Sequence, residues 1–350
     1  MRVALITDQH FGARNDSVHF LDYYEKFYKE TFFPILDNNN VSTVLILGDT
    51  FDRRKYINFY TLKRARQMFF DVLEKENISV FMLAGNHDTY FKNTNEVNSV
   101  DLLLNDYQNI HVISEPKTID DICFMPWICP ENYERSMDEI KNTKATYCMG
   151  HFEIDGFVMH PGAICEGGLP RSLFSKFNLT FSGHYHHKSY ADSIHYLGNP
   201  YELTWSDYKD PRGFHLFDTE TEELEFIENP NRMFFKIHYD DKAESITEIT
   251  KKDLSEYTNR YVKVVIDNKT NQFLFDRFME NLYNVNPLDV MIVEDFTEDD
   301  AEYDPVDEAE DTITILNNYI DNVKEETLDG IKIKGLVKNL YNEALNAEIT

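Results

Sequence analysis

Five apolar runs, each ending in potential metal ligands, constrain this chain more than any other feature. Val3-Ala4-Leu5-Ile6 leads to Asp8-Gln9-His10, and Val44-Leu45-Ile46-Leu47 to Gly48-Asp49. Val80-Phe81-Met82-Leu83 leads to Gly85-Asn86-His87-Asp88. Thr146-Tyr147-Cys148-Met149 leads to Gly150-His151, and Leu179-Thr180-Phe181 to Gly183-His184-Tyr185-His186. Such runs read as buried strands. Between the second and third, Leu62, Ala65, Phe69, Val72 and Leu73 fall on one helical face, so the pattern is α/β. Parallel strands place their carboxyl ends on one edge of a sheet, where binding crevices form. Asp8 and His10 are two apart, as are His184 and His186, and an extended backbone would point both members of a pair the same way.

A single strand-end Asp ordinarily caps a helix, and a single His is ordinarily a satisfied polar group. Five such ends in order, carrying four His, two Asp and one Asn, are poorly explained that way. The other histidines (His19, His111, His160, His187, His195, His215 and His238) take the ordinary reading. Seven ligands are too many for one tetrahedral ion but suit two ions sharing a bridging carboxylate. Mixed imidazole and carboxylate donors favour Mn, Fe or Zn over Mg or Ca, which prefer all-oxygen shells. Two ions roughly 3.5–4 Å apart can clamp a phosphodiester.

The chain has 350 residues and a net charge of −28, which argues against simple DNA binding, since a polyanion is normally gripped by Lys and Arg. Bound cations or a basic partner subunit would overcome that repulsion. Arg53-Arg54-Lys55 and Lys63-Arg64 with Arg66 are local basic groups that read first as solvated helix faces. Cys123, Cys129, Cys148 and Cys165 form no C-x-x-C pair and read as buried thiols in a reducing cytoplasm. Nothing resembles a signal peptide or a membrane span.

The first part, residues 1–219, is therefore expected to be the catalytic domain. Residues 220–293 read as a small α+β domain. Its strands are expected at Phe234–Tyr239, Tyr261–Ile266 and Val290–Val293, and its helix at Asn271–Val285. Residues 294–311 contain no Lys or Arg and read as an acidic linker. In residues 312–350, Ile313, Leu316, Ile320 and Val323 mark one amphipathic helix, and Ile333, Leu336, Val337, Leu340 and Leu345 another. Their apolar faces call for a partner.

The motifs D-Q-H, G-D-T-F-D, G-N-H-D, G-H and G-H-Y-H resemble those of the calcineurin-like metallophosphoesterases, and within them the DNA-repair nucleases of the SbcD and MRN-complex type. Gly198-Asn199-Pro200 is similar to a Gly-Ser-Pro element of that group, with Asn in place of Ser. Asp210-Pro211-Arg212-Gly213-Phe214 and Phe217-Asp218-Thr219-Glu220-Thr221 are closer still to the recombination endonuclease subunits of T-even-like phages. The protein-phosphatase pattern G-D-x-H-G fits Thr7-Asp8-Gln9-His10-Phe11-Gly12 poorly.

The resemblance implies an α-β-β-α sandwich with the small domain as a cap and the C-terminal helical pair bound to an SMC-like ABC ATPase. It implies that Asp8, His10 and His186 hold one metal, that Asn86, His151 and His184 hold the other, and that Asp49 bridges them. His87 would face the scissile phosphate and assist the leaving oxygen, while Asp52 and Asp88 would orient ligands from behind; some relatives carry His where Asp52 stands. The ions would be Mn²⁺, with Mg²⁺ or Zn²⁺ as alternatives. The activity implied is exo- or endonucleolytic hydrolysis of DNA in recombination, repair and replication. The chain would act as a homodimer in the cytoplasm, the host's if phage-encoded. A homodimer interface would involve the helix after Gly48-Asp49, where Phe70 lies off the main stripe and would meet an outside partner, and the segment from Asn95 to Tyr107; the alternative is that all these residues are core. The alternatives are a phosphatase or phosphodiesterase on a non-DNA substrate, and a scaffold that delivers DNA ends to the ATPase.

Overall fold

A computed structural model describes residues 2–160 and 163–294. All five expected runs are strands, but they are shared between two six-stranded sheets. In the first sheet, Arg2–Ile6, Thr43–Ile46, Ser79–Leu83 and Ile110–Ile113 run parallel. Gly213–Asp218 joins antiparallel beside Arg2–Ile6, and Leu224–Glu228 forms the edge. The first sheet therefore extends past the boundary expected after Thr219, because Leu224–Glu228 folds back as a hairpin arm. In the second sheet, Ile122–Met125, Tyr147–His151, Leu179–Gly183 and Ile194–Tyr196 are parallel, with Lys117–Ile119 and Ser189–Ala191 as antiparallel edges.

The period-two alternation of each strand sorts its side chains into layers. Val3, Leu5, Leu45, Leu47 and Leu83 of the first sheet meet Phe124, Tyr147, Met149 and Phe181 of the second between the sheets. Ala4, Ile6, Val44, Ile46, Val80 and Met82 face the other way, onto an aromatic layer of Phe20, Tyr24, Phe27, Tyr28, Phe32 and Phe69. Cys123, Met125 and Cys148 pack outward with Ile140 of the Tyr133–Asn142 helix. Helical layers thus flank both sheets. All four cysteines are buried and free.

The helix after Asp49 starts at Phe59, with the Asn58 side chain accepting from the Tyr60 and Thr61 amides. It is not a uniform α-helix: Arg66–Phe70 is π-helical. The i→i+5 bonds admit an extra residue into the turn and shift the phase of the next one. Phe69 and Phe70 are consequently both 0% exposed. Phe70 packs against Phe11, Phe69 and Tyr107, so of its two readings, outside contact and core, the structure gives the core one.

The small domain contains the expected strands, at Phe234–Asp240, Tyr261–Asn268 and Asp289–Glu294, and the expected helix, at Gln272–Asn284. Its strands are all parallel, with Ile246–Lys251 in the first crossover and Gln272–Asn284 in the second. This is a β-α-β-α-β unit rather than α+β, because neighbouring parallel strands need a crossover connection. The acidic stretch from 295 onward and the C-terminal helical pair lie outside the described residues. Among the described residues no helix is long and apolar enough to cross a membrane.

Candidate metal centre

The carboxyl ends of the parallel strands bring two ligand groups together: Asp8, His10 and His186, and Asp49, His151 and His184. Each group draws on both sheets. In the first, the Nε2 atoms of His10 and His186 stand 3.1 Å apart. In the second, Asn86 Oδ1 lies 2.9 Å from His151 Nε2 and 3.0 Å from His184 Nδ1. Asp49 Oδ2 is 3.3 Å from His151 Nε2 and 3.9 Å from His10 Nε2, facing both groups.

The expected extended geometry at Asp8 and His10 is not what converges them. Asp8 (φ 52°), His10 (φ 45°), Asp49 (φ 52°) and His184 (φ 86°) all have left-handed backbone. Such non-glycine conformations cost roughly 1–3 kcal/mol each and persist where surrounding contacts enforce them. The enforcing contacts are present. Asp8 N–H donates to the Gly48 carbonyl and His10 N–H to the Asp49 carbonyl. His184 N–H donates to both Asp8 carboxylate oxygens, at 3.0 and 3.1 Å, stitching one sheet to the other. Two glycines allow the close approach. A Cβ on Gly48 would stand 2.5 Å from His151 Nδ1, and one on Gly85 would stand 2.2 Å from Asp49 Oδ1.

The donor set fits divalent cations. The ring of His151 gives its Nδ1–H to the Leu47 carbonyl at 2.7 Å. In the neutral ring, Nε2 is then a bare lone pair facing two oxygens, Asn86 Oδ1 and Asp49 Oδ2. Converging lone pairs need either an added proton or a metal ion between them. With protons alone, burial works against charge on His10 and His151, but the neighbouring carboxylates win. Asp52, Asp49 and Asp8 push His10 up to about 9, and Asp49 and Asp8 push His151 up to about 9. Burial likewise opposes ionisation of Asp49, yet His151, His87 and His10 hold its carboxyl well below the usual range.

The flanking residues divide their work. Asp52 Oδ1 faces His10 Nδ1 at 3.3 Å. Asp88 does not touch the His87 ring. Its carboxylate accepts from the amides of Gly85, Thr50 and Phe51, fixing the turn that carries Asp49; burial and Asp49 raise it to about 6. His87 N–H donates to Asp49 Oδ1 at 2.8 Å, and His87 Nδ1–H donates to the Asp52 carbonyl at 2.6 Å. Burial lowers the His87 imidazole.

Several neighbours were not singled out from the sequence. Glu153 Oε1 lies 3.2 Å from His184 Nε2. The Trp127 ring centroid is 5.3 Å from that of His184. Tyr201 donates its hydroxyl to the Gln9 carbonyl at 2.6 Å. Buried Arg212 pairs with Asp207 and Asp210 and donates to the carbonyl of His186. Only Arg212 and Asp210 lay in a motif noted in the sequence. Of the other histidines, His187 pairs with Asp210.

The family model for calcineurin-like phosphoesterases matches residues 1–188. Exonuclease subunit 1 of Enterobacteria phage T4 is 32% identical over 298 residues, covering 83% of each chain. A solved archaeal phosphodiesterase aligns with 65% of this chain and 99% of its own at 16% identity and a TM-score of 0.33, a likeness too slight to place any element. The family motifs fall on the strand ends that build the two ligand groups, and by the family match and by descent alike the chain belongs to the calcineurin-like phosphoesterases.

Proposed function

We propose that this chain is the nuclease subunit of a DNA-processing complex, hydrolysing DNA phosphodiesters with two divalent ions, Mn²⁺ foremost. The observation that carries this reading is the pairing of Asp8, His10 and His186 with Asn86, His151 and His184 around the shared Asp49 carboxylate. The likeness to an exonuclease subunit directs it toward DNA and toward a second subunit. Bound in these groups, the ions would supply Lewis-acid activation of the phosphodiester and of the attacking water.

The chain's own residues set the geometry. Asp49 presents one oxygen between the ligand groups and the other to the His87 amide. Because the His87 Nδ1 proton is committed to the Asp52 carbonyl, Nε2 is the atom left to serve the leaving oxygen. Burial favours the neutral ring, so Nε2 must first take up a proton, which the negative charge of a bound phosphodiester promotes.

The β-α-β-α-β unit would act as the capping, DNA-recognition element. The segment 312–350 would bind an SMC-like ATPase that supplies the basic surface this acidic chain lacks. A homodimer would use exposed Phe59 and Leu102 on the helices at Phe59–Ala65 and Ser99–Leu104.

The test is Mn²⁺-dependent cleavage of defined DNA, with and without the ATPase and ATP, beside a chromogenic phosphodiester and a phosphopeptide. Preference for the phosphopeptide would overturn the reading. Deleting residues after Asp311 should abolish co-purification with the ATPase and leave hydrolysis of small substrates intact. Sedimentation at micromolar concentration should show the dimer.

A further inference from the structure

At three of the four imidazole ligands a polar group faces the ring nitrogen that points away from the ion position, and for His151 and His184 it is a hydrogen bond. The partner is the Asp52 carboxylate for His10, the Leu47 carbonyl for His151 and the Glu153 carboxylate for His184. Such contacts fix ring orientation and raise ligand basicity. His186 is different. Among the described residues its Nδ1 makes no hydrogen bond, and the ring's hydrogen-bond contact is with His10, at Nε2. What holds His186 is its backbone. Its carbonyl accepts from the Asn199 amide at 3.2 Å and from Nη1 of Arg212.

Arg212 is only 2% exposed. Its Nη2 lies 2.7 Å from Asp207 Oδ1 and 2.9 Å from Asp210 Oδ2. Asp210 also binds His187 Nδ1, so the residue after the ligand is tied to the same group. A buried cation is costly unless its partners are well placed, and a neutral donor would satisfy one carbonyl more cheaply. The guanidinium offers what a neutral donor lacks: a planar fork whose one arm is anchored by two carboxylates while the other fixes the carbonyl. Arg212 immediately precedes the Gly213–Asp218 strand of the first sheet, whereas His186 comes after Leu179–Gly183 of the second.

We propose that Arg212 is the positioning residue for the ion held by Asp8, His10 and His186, acting through the backbone of His186 in place of the ring contact the other histidines have. The inference rests on the reading of His186 as a metal ligand. Arg212→Lys keeps the buried cation but loses the fork, and Arg212→Gln keeps a donor but loses the charge. Mn²⁺ titration by calorimetry and electron paramagnetic resonance provide the readouts, and thermal unfolding in EDTA checks each fold without bound ions.

The wild type should bind two Mn²⁺ ions and give an exchange-coupled spectrum. Each folded Arg212 variant should bind one ion normally and the other about 10- to 100-fold more weakly. With two equivalents of Mn²⁺ added, below saturation of the weakened position, the spectrum should be that of isolated ions. Asp210→Asn, which removes one of the two anchors of the fork but leaves the Arg212 contacts with Asp207 and His186 in place, should weaken the same ion by less than Arg212→Lys does. Unchanged affinities and a coupled spectrum in the Arg212 variants would overturn the inference, as would loss of an ion in Asp210→Asn equal to that in Arg212→Lys. A wild type that binds fewer than two ions would remove the dinuclear reading itself, and the inference with it.

Discussion

Asp49 points Oδ2 at His151 Nε2 across 3.3 Å, joining the end of a first-sheet strand to the end of a second-sheet strand. The same oxygen faces His10 at 3.9 Å, so one carboxylate stands between both ligand groups. Asp49→Ala should therefore weaken both ions and abolish hydrolysis, whereas His10→Ala should weaken mainly one. Calorimetric Mn²⁺ titration distinguishes the two patterns. Full two-ion occupancy in Asp49→Ala would refute the bridging role.

His87 is held by its amide and by Nδ1 and stands outside both groups of converging ligands. His87→Asn should bind Mn²⁺ and DNA as the wild type does yet cut about 10²–10⁴-fold more slowly. Single-turnover kinetics is the measurement, and an unchanged chemical step would exclude His87 from the reaction.

Phe70 is a core residue because of the π-helical turn that turns it inward. Phe70→Ala should cost about 3–5 kcal/mol in denaturant unfolding. Its sedimentation behaviour should match that of the wild type while the protein is folded. A variant as stable as the wild type but altered in oligomeric state would return Phe70 to the surface.

His215 gives a pH dependence separate from the metal groups. Burial, with Lys188 and His195 nearby, pushes its imidazole down to about 3. Below the unfolded value of about 6.5, the unfolded chain binds a proton that the folded chain refuses. This residue's share of stability is thus present above about 6.5 and is lost as pH falls toward 3, at no more than about 1.4 kcal/mol per unit. His215→Leu should flatten the fall of stability with pH in that window. Parallel pH profiles for variant and wild type would contradict the assignment.

The chemistry at strand ends was legible in the sequence. An apolar run leading to Gly, Asp or His is a local signal, and all five runs are strands with the candidate ligands converging at their carboxyl ends. Less legible was how the ligands are aimed. Alternation along an extended strand suggested a shared direction for Asp8 and His10, but both sit in left-handed backbone enforced by contacts with Gly48 and Asp49, some 40 residues on. The π-turn at Arg66–Phe70 changes helical phase without a glycine or proline to announce it. Arg212 lies 26 residues from His186, and their contact exists only once the sheets have packed. The hairpin arm Leu224–Glu228 is another pairing set by tertiary context, which is why the domain boundary came too early.

The division of ligands between the sheets has a further consequence. Residues 8–86 contribute Asp8, His10, Asp49 and Asn86, and residues 151–186 contribute His151, His184 and His186. A nascent or nicked chain with only one of these stretches in place has an incomplete ligand set at both ion positions. Sliding one sheet by a single residue would dismantle both positions at once. On the two-ion reading, hydrolysis would then report correct assembly of both sheets, and a partly folded copy would be chemically silent.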